Sequence, residues 1–478
     1  MKQIQADVLV IGGGTAGMGA FRHARQFTDN VYLVESTVFG TTCARVGCMP
    51  SKLLIAAAEA RHHALHTAPF GIHLDTASVR TDGREVMARV KAERDRFVGF
   101  VLEDVEAWPA ERRIMGASKF IDEHTVEVGG HTRISAERIV IATGSRPLIL
   151  PQWQPLGDRL IVNDDVFSWD DLPESVAVFG PGVIGLELGQ ALSRLGVKVE
   201  IFGVSGNLAG LADPVIRREA VASFSQELTL HLDSRTQVSL DENGKVVVDW
   251  EENGQSGRFV ADYALAAAGR VPNTDNIGLE NLNIVTDARG VPLADPHTMQ
   301  TSIPHIFIAG DASNQLPLLH EASDQGKIAG DNAGRYPDVR PGLRRSPIGV
   351  VFTDPQIASA GERYTALQQR YGERFDSAVA IGEVSFKNQG RSRVMLKNQG
   401  HLRVYAEQGS GRLLGAEMFG PAAEHIAHLL AWSHQQGLTV AQMLDMPFYH
   451  PVVEEGLRTA LRDVQSKLRY DHQAAGKR

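Results

Sequence analysis

Two stretches of the chain share one pattern of apolar and polar positions. Each begins with a short, mostly apolar run, at residues 6–11, where Asp7 is the one polar residue, and again at 176–179. A glycine-rich turn, a helix-period segment and a second strand-like segment follow each of them. Nearly continuous apolar runs are typical of parallel strands that are buried on both faces. The pattern therefore predicts an α/β fold with an internal repeat of a strand–turn–helix–strand unit. The predicted helices end near Phe27 and Leu195, and the second strands cover 31–34 and 197–202.

The first turn has the glycine spacing of a dinucleotide-binding fold. Gly12 would make the tight turn, Gly14 would let the backbone approach a pyrophosphate, and Gly17 would let the helix pack on the strand. The phosphates would lie at the helix N-terminus. Glu35, 18 residues after Gly17, is placed to accept hydrogen bonds from a ribose. A glycine turn alone is often only a tight turn, and Glu35 could be a solvated acid, but the combination favours dinucleotide binding.

The second turn repeats this spacing in Gly180, Gly182 and Gly185. We therefore expect a second dinucleotide to bind there. Gly203 lies where the first copy has its acid, so no carboxylate is available at that position for a ribose 2′-hydroxyl. Residues 204–208 contain no arginine for a 2′-phosphate. The sequence leaves NAD and NADP open.

Cys43 and Cys48 are the only two cysteines in the chain. Such a pair favours a redox-active disulfide, although two free, buried thiols are an alternative. A disulfide would exclude a regular helix between them, because Cα atoms five residues apart in a helix are about 8–9 Å apart and bridging needs less than about 7 Å. Gly47 permits a bend, and a helix could start at residues 49–51. The pair would then lie at a helix N-terminus, where the dipole lowers the pKa of a thiol.

Length and charge exclude several classes of function. The 478 residues predict two to four domains, and the net charge of −9 argues against nucleic acid or an anionic membrane as the main partner. No apolar run approaches the roughly 20 residues of a membrane helix. The first residues do not resemble a signal peptide, and with only two cysteines we expect a cytoplasmic protein. The histidines show no ligand spacing, so no metal site is predicted.

Several further motifs stand in a fixed order along the chain: residues 40–52 (GTTCARVGCMPSK), 141–147 (IATGSRP), 269–273 (GRVPN), 301–311 (TSIPHIFIAGD) and 450–455 (HPVVEE). Together with the two glycine turns, they resemble the class I pyridine nucleotide–disulfide oxidoreductases over nearly the whole chain. The resemblance is closest to dihydrolipoyl dehydrogenase, with glutathione reductase and mercuric reductase as relatives. Mercuric reductase is disfavoured because the chain lacks a terminal cysteine pair.

The resemblance implies two Rossmann-like domains, one for FAD and one for NAD(P), and a C-terminal α+β dimerisation domain. The expected divisions are 1–150 for the first part of the FAD domain, 151–272 for the NAD(P) domain, 273–342 for the second part of the FAD domain, and 343–478 for dimerisation. The residues expected to bind FAD are Gly12, Gly14, Gly17, Glu35, Lys52, Gly116, Thr143, Gly144, Asp311 and His320. Those expected to bind NAD(P) are Gly180, Gly182, Gly185, Glu187, Gly203, Gly269 and Arg270.

Some of these residues have simpler alternative roles. Lys52 is expected beside the flavin and paired with Glu187, since a buried ammonium needs a partner, but it could be a surface lysine. Asp311 is expected on the ribityl chain, yet it could cap the next helix. His320 is expected near the flavin through its backbone.

The resemblance also assigns catalytic roles. Cys48 would be the thiol nearer the flavin, and Cys43 would exchange with the substrate, which is expected to be a small dithiol or disulfide or a lipoyl domain. His450 would reach across a homodimer interface into the partner's site and carry protons, oriented by Glu455, with Glu454 as the rival orienter. An imidazole suits this role because its ordinary pKa is about 6.5. FAD would relay electrons between NAD(P)H and the disulfide.

The sequence departs from the dihydrolipoyl dehydrogenase pattern at Thr41, Gly203, Phe448 and Val452. These departures concern the substrate and the pyridine nucleotide. An NAD(P)H-dependent reductase of another small disulfide therefore remains an alternative, as does a flavoprotein redox sensor with little turnover. Sequence does not fix the direction of the reaction, because about 30 mV already corresponds to 1.4 kcal/mol.

Overall fold

A computed structural model describes residues 1–469 of the chain; residues 470–478, the end of the predicted dimerisation domain, lie outside the described residues. The first part of the chain contains β1 (Lys2–Ile11), α1 (Thr15–Ala24), β2 (Val31–Glu35), α2 (Thr42–Val46), α3 (Cys48–Leu65), α4 (Gly83–Glu106), β3 (Arg113–Met115), β4 (Ser118–Phe120), β5 (Thr125–Val128), β6 (Thr132–Ile141) and β7 (Ser145–Pro147).

The second part contains the repeat. Its elements are β8 (Leu160–Ile161), α5 (Asn163–Val166), β9 (Ser175–Phe179), α6 (Val183–Arg194), β10 (Lys198–Phe202), α7 (Pro214–Phe224), β11 (Thr229–His231), β12 (Arg235–Leu240), β13 (Val246–Glu252), β14 (Gln255–Ala261), β15 (Tyr263–Ala266) and β16 (Arg270–Pro272). The chain then returns to the first sheet through β17 (Ile306–Ile308) and α8 (Leu319–Arg335).

The last part contains β18 (Ile348–Val351), β19 (Gln356–Gly361), α9 (Tyr364–Tyr371), α10 (Phe375–Ala378), β20 (Val379–Ser385), α11 (Gly390–Val394), β21 (His401–Glu407), β22 (Leu413–Gly420), α12 (Ala423–Gln435), α13 (Val440–Leu444) and α14 (Glu455–Lys467). The Pro- and Gly-containing stretch between α8 and β18 has neither helix nor strand.

The first sheet has the order β3-β2-β1-β6-β5-β4, and β17 also pairs with β6. β1 runs parallel to both β2 and β6. Its side chains are buried on both faces: Leu9 and Ile11 belong to one core cluster, and Val8 and Val10 to another. This explains the mostly apolar run, since each face of a parallel sheet packs against its own layer.

The second sheet is parallel, with the order β11-β10-β9-β15-β8. An antiparallel meander, β12-β13-β14, follows it. The last sheet is antiparallel, with the order β18-β19-β22-β21-β20, and α12 and α14 contribute to its core cluster through Ile426, Leu430, Leu457 and Leu461. The α/β fold with two dinucleotide-type sheets and a C-terminal α+β unit therefore agrees with the sequence prediction.

The strand starts were predicted within a few residues, but the first helix ends at Ala24 rather than near Phe27. Turns carry the chain from Ala24 to the next strand, and the N–H of Phe27 bonds the oxygen of Ala24. None of the helices within residues 1–469 has the length and apolar character to cross a bilayer.

Candidate active site

The first glycine turn lies between β1 and the N-terminus of α1. Gly12 has φ +109°, and a Cβ there would lie 2.2 Å from the oxygen of Ala142. A Cβ on Gly17 would lie 1.7 Å from the oxygen of Gly12, so the helix touches the turn directly. At Gly14, by contrast, no atom lies within 4 Å of the Cβ position. Gly14 therefore borders open space at a helix N-terminus, which fits a bound pyrophosphate.

Glu35 ends β2 beside this turn. Its carboxylate accepts the N–H of Gly13 at 2.7 Å and the N–H of Thr37 at 2.9 Å. The Glu35 carbonyl accepts the N–H of Gly116 at 2.8 Å. Gly116 has φ +148°, and a Cβ there would lie 2.9 Å from the nitrogen of Gly129. The acid is thus held at the edge where a ribose would follow the pyrophosphate.

Asp311 lies shortly after β17, the strand by which the chain returns to the first sheet. Its Oδ2 accepts the Ser145 hydroxyl at 2.7 Å, and the guanidinium of Arg270 donates to the same hydroxyl at 2.8 Å. Asp311 does not cap the following long helix, because the residue before α8 is Leu318. The alternative capping role is therefore wrong. Gly144 and Gly269, which flank this cluster, have φ of +70° and +137°.

Two buried polar atoms in the segments expected to bind FAD lack a hydrogen-bond partner among the described residues. They are Thr143 Oγ1 and His320 Nε2. Such atoms are costly to bury unsatisfied. Both belong to segments that sequence analysis connects with FAD, so the residues present fit a flavin dinucleotide here. Within residues 1–469, no three His, Cys, Asp or Glu side chains converge as a metal site.

The second turn repeats the construction of the first. Gly180 has φ +112° with a Cβ position 2.4 Å from the oxygen of Ala267, and the Cβ position of Gly185 is 1.9 Å from the oxygen of Gly180. The nearest atom to the Cβ position of Gly182 is 3.8 Å away, so this glycine again borders space. The turn lies at the N-terminus of α6, where a second pyrophosphate fits.

Packing explains why a glycine stands at position 203, which the sequence alone did not reveal. A Cβ there would lie 2.6 Å from Pro181 Cγ and 3.2 Å from the oxygen of Leu232. The end of β10 therefore packs against the proline inside the second turn. Gly203 admits no side chain, which explains the missing acid.

The cysteine segment bends as the spacing predicted. α2 ends at Val46, Gly47 has φ −128° and ψ −116°, and α3 begins at Cys48. A Cβ on Gly47 would lie 3.1 Å from the Cα of Cys43. Thr41, which replaces the family's glycine, caps α2 by accepting the N–H of Ala44 at 3.0 Å. Both cysteines are thiols in this structure.

A charged pair stands one helical turn after Cys48. Lys52 Nζ lies 2.8 Å from Glu187 Oε2, and Glu187 Oε1 accepts the N–H of Phe352 at 2.8 Å. Glu187 is only 4% exposed. The Lys52 ammonium lies 4.5 Å from the centroid of the Phe352 ring. Lys52 is therefore not a free surface lysine.

The groups around the two cysteines give their thiols different pKa values. A hydrogen bond from Cys43 lowers the pKa of Cys48 to about 7, with help from the Lys52 charge and against partial desolvation and Glu187. The same hydrogen bond, together with burial and the charge of Cys48, raises the pKa of Cys43. Of the two thiols of the reduced pair, Cys48 is therefore the more readily ionised, and Cys43 stays protonated at neutral pH.

His450 and Glu455 are the two remaining residues with a predicted catalytic role. His450 Nδ1 lies 3.0 Å from Glu455 Oε2, while Arg458 donates to Glu455 Oε1 at 2.8 Å. Although desolvation opposes it, hydrogen bonds from the Val452 N–H and from His450 hold the pKa of Glu455 below its ordinary value. The contact to His450 comes from Glu455 and not from the rival Glu454 in the described chain.

The imidazole is separate from its own cysteine pair. Its side chain is 80% exposed, and no hydrogen bond joins it to Cys43 or Cys48 within residues 1–469. Among residues 1–469, the ring has a hydrogen-bond partner only at Nδ1, the Glu455 carboxylate, and none at Nε2. An imidazole held by a carboxylate at one nitrogen has the arrangement of a general base.

Sequence analysis missed four residues of this site, three of which make contacts between distant parts of the chain. Phe352 contacts Lys52 and Glu187, Asn163 donates to the Val46 oxygen behind the cysteine segment at 2.7 Å, and Ser145 joins Arg270 to Asp311. Each contact joins residues more than 100 positions apart, so no local spacing could reveal them. Arg458, three residues after Glu455, could have been found from helical spacing.

The profile of one family covers most of the chain. The pyridine nucleotide-disulphide oxidoreductase profile matches residues 6–326, and the dimerisation domain of the same family matches 348–461. The chain belongs to the pyridine nucleotide–disulphide oxidoreductase family. It is therefore an FAD-dependent, pyridine nucleotide-linked disulfide oxidoreductase with a dimerisation domain, and the resemblance drawn from the motifs is confirmed.

Two curated relatives of this family member are similar over nearly their whole length. Dihydrolipoyl dehydrogenase of Haloferax volcanii is 30% identical over 464 residues, covering 95% of this chain and 95% of the relative. Dihydrolipoyl dehydrogenase of Bacillus subtilis is 29% identical over 460 residues, covering 95% and 97%. The HOCl-induced flavoprotein disulfide reductase RclA from Escherichia coli shares the fold, with a TM-score of 0.78, 22% identity and coverage of 97% of this chain and 100% of RclA.

Proposed function

We propose that the protein oxidises dihydrolipoamide to lipoamide with NAD⁺, through the Cys43–Cys48 pair of one subunit and His450 of the other. The observation that carries this is the asymmetry of the pair: the Cys43 hydrogen bond and the Lys52 charge, held by Glu187, favour ionisation of Cys48, whereas Cys43 stays protonated. The curated relatives named dihydrolipoyl dehydrogenase support the substrate.

The asymmetry favours a defined order of bond changes. With the pair oxidised, a substrate thiolate attacks Cys43, the Cys43–Cys48 bond breaks, and Cys48 leaves as a thiolate. A thiol of lower pKa is the better leaving group, so attack on Cys43 is favoured over attack on Cys48. The second substrate thiolate then attacks the substrate sulfur that is bonded to Cys43. This closes the disulfide of lipoamide and releases Cys43, which is protonated.

The other residues move protons and hold charge. His450, kept in one orientation by Glu455, takes the protons of the two substrate thiols. Lys52, paired with Glu187, stabilises the Cys48 thiolate. FAD, when bound, supplies the two-electron link between the reduced pair and the pyridine nucleotide. The sum is dihydrolipoamide and NAD⁺ to lipoamide, NADH and one proton.

The loop after β10 supports NAD over NADP. Gly203 cannot carry an acid, and residues 204–208 contain no cation. Asp233 Oδ1 accepts the N–H of Ser205 at 2.8 Å, which places a negative charge against this loop. The Asp233 carboxylate would repel a 2′-phosphate bound here, whereas it would not repel an uncharged 2′-hydroxyl. We expect the protein in the cytoplasm, where a lone redox cysteine pair is more often catalytic than structural.

The test is a substrate comparison with purified, flavin-loaded protein. Dihydrolipoamide with NAD⁺ should give the highest kcat/KM, above NADP⁺ with the same dithiol and above glutathione disulfide with either reduced nucleotide. Cys48→Ser should retain FAD and lose this activity. A higher kcat/KM with glutathione disulfide or another small disulfide would establish the reductase alternative, and bound FAD without turnover on any substrate would favour a redox sensor.

A further inference from the structure

Phe352 enters the site from the C-terminal unit. It directly follows β18, the first strand of the antiparallel sheet, and reaches across to α3 and α6. Its backbone N–H donates to Glu187, and its ring lies under the Lys52 ammonium at 4.5 Å. One residue therefore contacts both members of the charged pair that acts on Cys48.

The contacts leave Lys52 and Glu187 little freedom. Both carboxylate oxygens of Glu187 are engaged, one by Lys52 and one by Phe352. The side chain of Lys52 is still 32% exposed, so a lysine of this length could turn to solvent. The aromatic face opposes that, because a cation over a ring gains about 0.5–2 kcal/mol.

The segment that carries Phe352 is itself fixed to the helix of the second turn. Gln190 Oε1 accepts the N–H of Asp354 at 2.9 Å, and Gln190 Nε2 donates to the Asp354 oxygen at 2.8 Å. Arg194 donates to the same oxygen at 3.1 Å. Glu187, Gln190 and Arg194 are spaced three and four residues apart, so one face of α6 holds the segment.

We propose that Phe352 is a positioning residue for the thiol–disulfide reaction: its ring and its N–H hold the Lys52 ammonium and the Glu187 carboxylate in the arrangement that stabilises the Cys48 thiolate. This rests on the thiolate role proposed for Cys48. The charged and titratable groups that act on Cys48 are Cys43 from α2, Lys52 from α3 and Glu187 from α6. Phe352 carries no charge, so it works only through how it places the last two.

Phe352→Leu removes the aromatic face and keeps the backbone N–H and most of the apolar volume. Phe352→Tyr keeps the ring and is the conservative rescue. Phe386→Leu, a fully buried phenylalanine in the core of the C-terminal unit, is the matched control for lost packing. A merely structural role would make the two leucine variants behave alike.

The measurement is the pH titration of the long-wavelength thiolate–flavin absorbance of the reduced holoenzyme, alongside thermal stability. We expect the midpoint of Phe352→Leu to move upward by at most roughly 0.7 pH units, because a lost cation–π interaction of about 1 kcal/mol limits how strongly the ring can hold Lys52 in place. Phe352→Tyr and Phe386→Leu should titrate with the wild type, although Phe386→Leu should melt earlier.

Two results would overturn the proposal. One is a Phe352→Leu midpoint equal to that of the wild type, and the other is an equal shift in Phe386→Leu. If instead the wild type shows no such absorbance on reduction, the thiolate role of Cys48 fails, and with it the proposed function.

Discussion

The hydrogen bond between the two thiols makes a quantitative prediction. With its pKa at about 7, Cys48 is about half ionised at pH 7, whereas a thiol at the ordinary value of 9.0 would be about 1% ionised. The largest cause of the lowering is the hydrogen bond from Cys43. Replacing that donor should therefore change the fraction of thiolate more than any other single substitution at the site.

Cys43→Ser and Cys43→Ala separate the hydrogen bond from the loss of sulfur. Serine keeps a donor beside Cys48, and alanine removes it. A hydrogen bond to a charged acceptor contributes about 1.5–3 kcal/mol, which corresponds to about one to two pH units. The midpoint for Cys48 should rise by that amount in Cys43→Ala and stay near the wild-type value in Cys43→Ser.

The assay follows long-wavelength absorbance of the flavin-loaded, reduced variants against pH, with Cys48→Ser as the blank. The sign is fixed: the absorbance belongs to the ionised thiol, so it is lost as the pH falls through the midpoint. Coincident titrations of the serine and alanine variants would refute the role of the hydrogen bond. Persistent absorbance in Cys48→Ser would refute the assignment of the thiolate.

Three further outcomes follow from the packing. Gly14→Ala should fold like the wild type but lose FAD, because its methyl group enters the open space that we assign to the pyrophosphate. Gly17→Ala should lose FAD and also lower the melting temperature, because its methyl group meets the backbone of Gly12. Flavin content and thermal unfolding check both variants, and equal melting temperatures would contradict this interpretation of the turn. Tyr405→Phe should lower the free energy of unfolding, measured in urea, by about 1–3 kcal/mol, because the Tyr405 hydroxyl donates to two buried carboxylates at 2.8 and 3.3 Å. The control Tyr371→Phe removes a less buried hydroxyl and should lower the free energy of unfolding by less than about 0.5 kcal/mol. Burial, and after it the charge of Arg194, lowers the pKa of His62 to about 4. Because the unfolded state then binds more protons than the folded state between about pH 6.5 and 4, the free energy of unfolding should fall as the pH drops through this range. His62→Gln should reduce that loss by about 1–2 kcal/mol in denaturant titrations, and an unchanged pH dependence in the variant would contradict the reasoning.

Local features of the site were predictable from sequence, and contacts between distant segments were not. The two glycine turns and the bend at Gly47 depend on spacings within a few residues, which backbone geometry restricts strongly. The His450–Glu455 contact was expected from the family resemblance, whose spacing favoured Glu455 over Glu454. The pairing of Lys52 with Glu187, 135 residues apart, came only from the family resemblance.

Phe352 shows why the rest was missed. Its ring and N–H matter because β18 delivers them to a pair on two other helices, and an apolar residue after a strand has no local signature of that role. Gly203 is similar: the sequence registers a missing acid, and only the contact with Pro181 explains it. Such residues become visible once the packing of separate units is known.

The central claim is that each reaction site combines the cysteines of one subunit with the histidine of the other. Mixed dimers test it directly: Cys43→Ser and His450→Ala chains, each inactive alone, are unfolded or dissociated together and reassembled. In a heterodimer one site carries both lesions and the other carries neither.

Dihydrolipoamide oxidation by the reassembled mixture is the decisive measurement. With random pairing, half of the dimers are mixed and each has one intact site, so roughly a quarter of the wild-type activity should return. Reassembled dimers that form in that proportion and remain inactive would contradict the shared site, because a site contained within one chain cannot be restored by exchange.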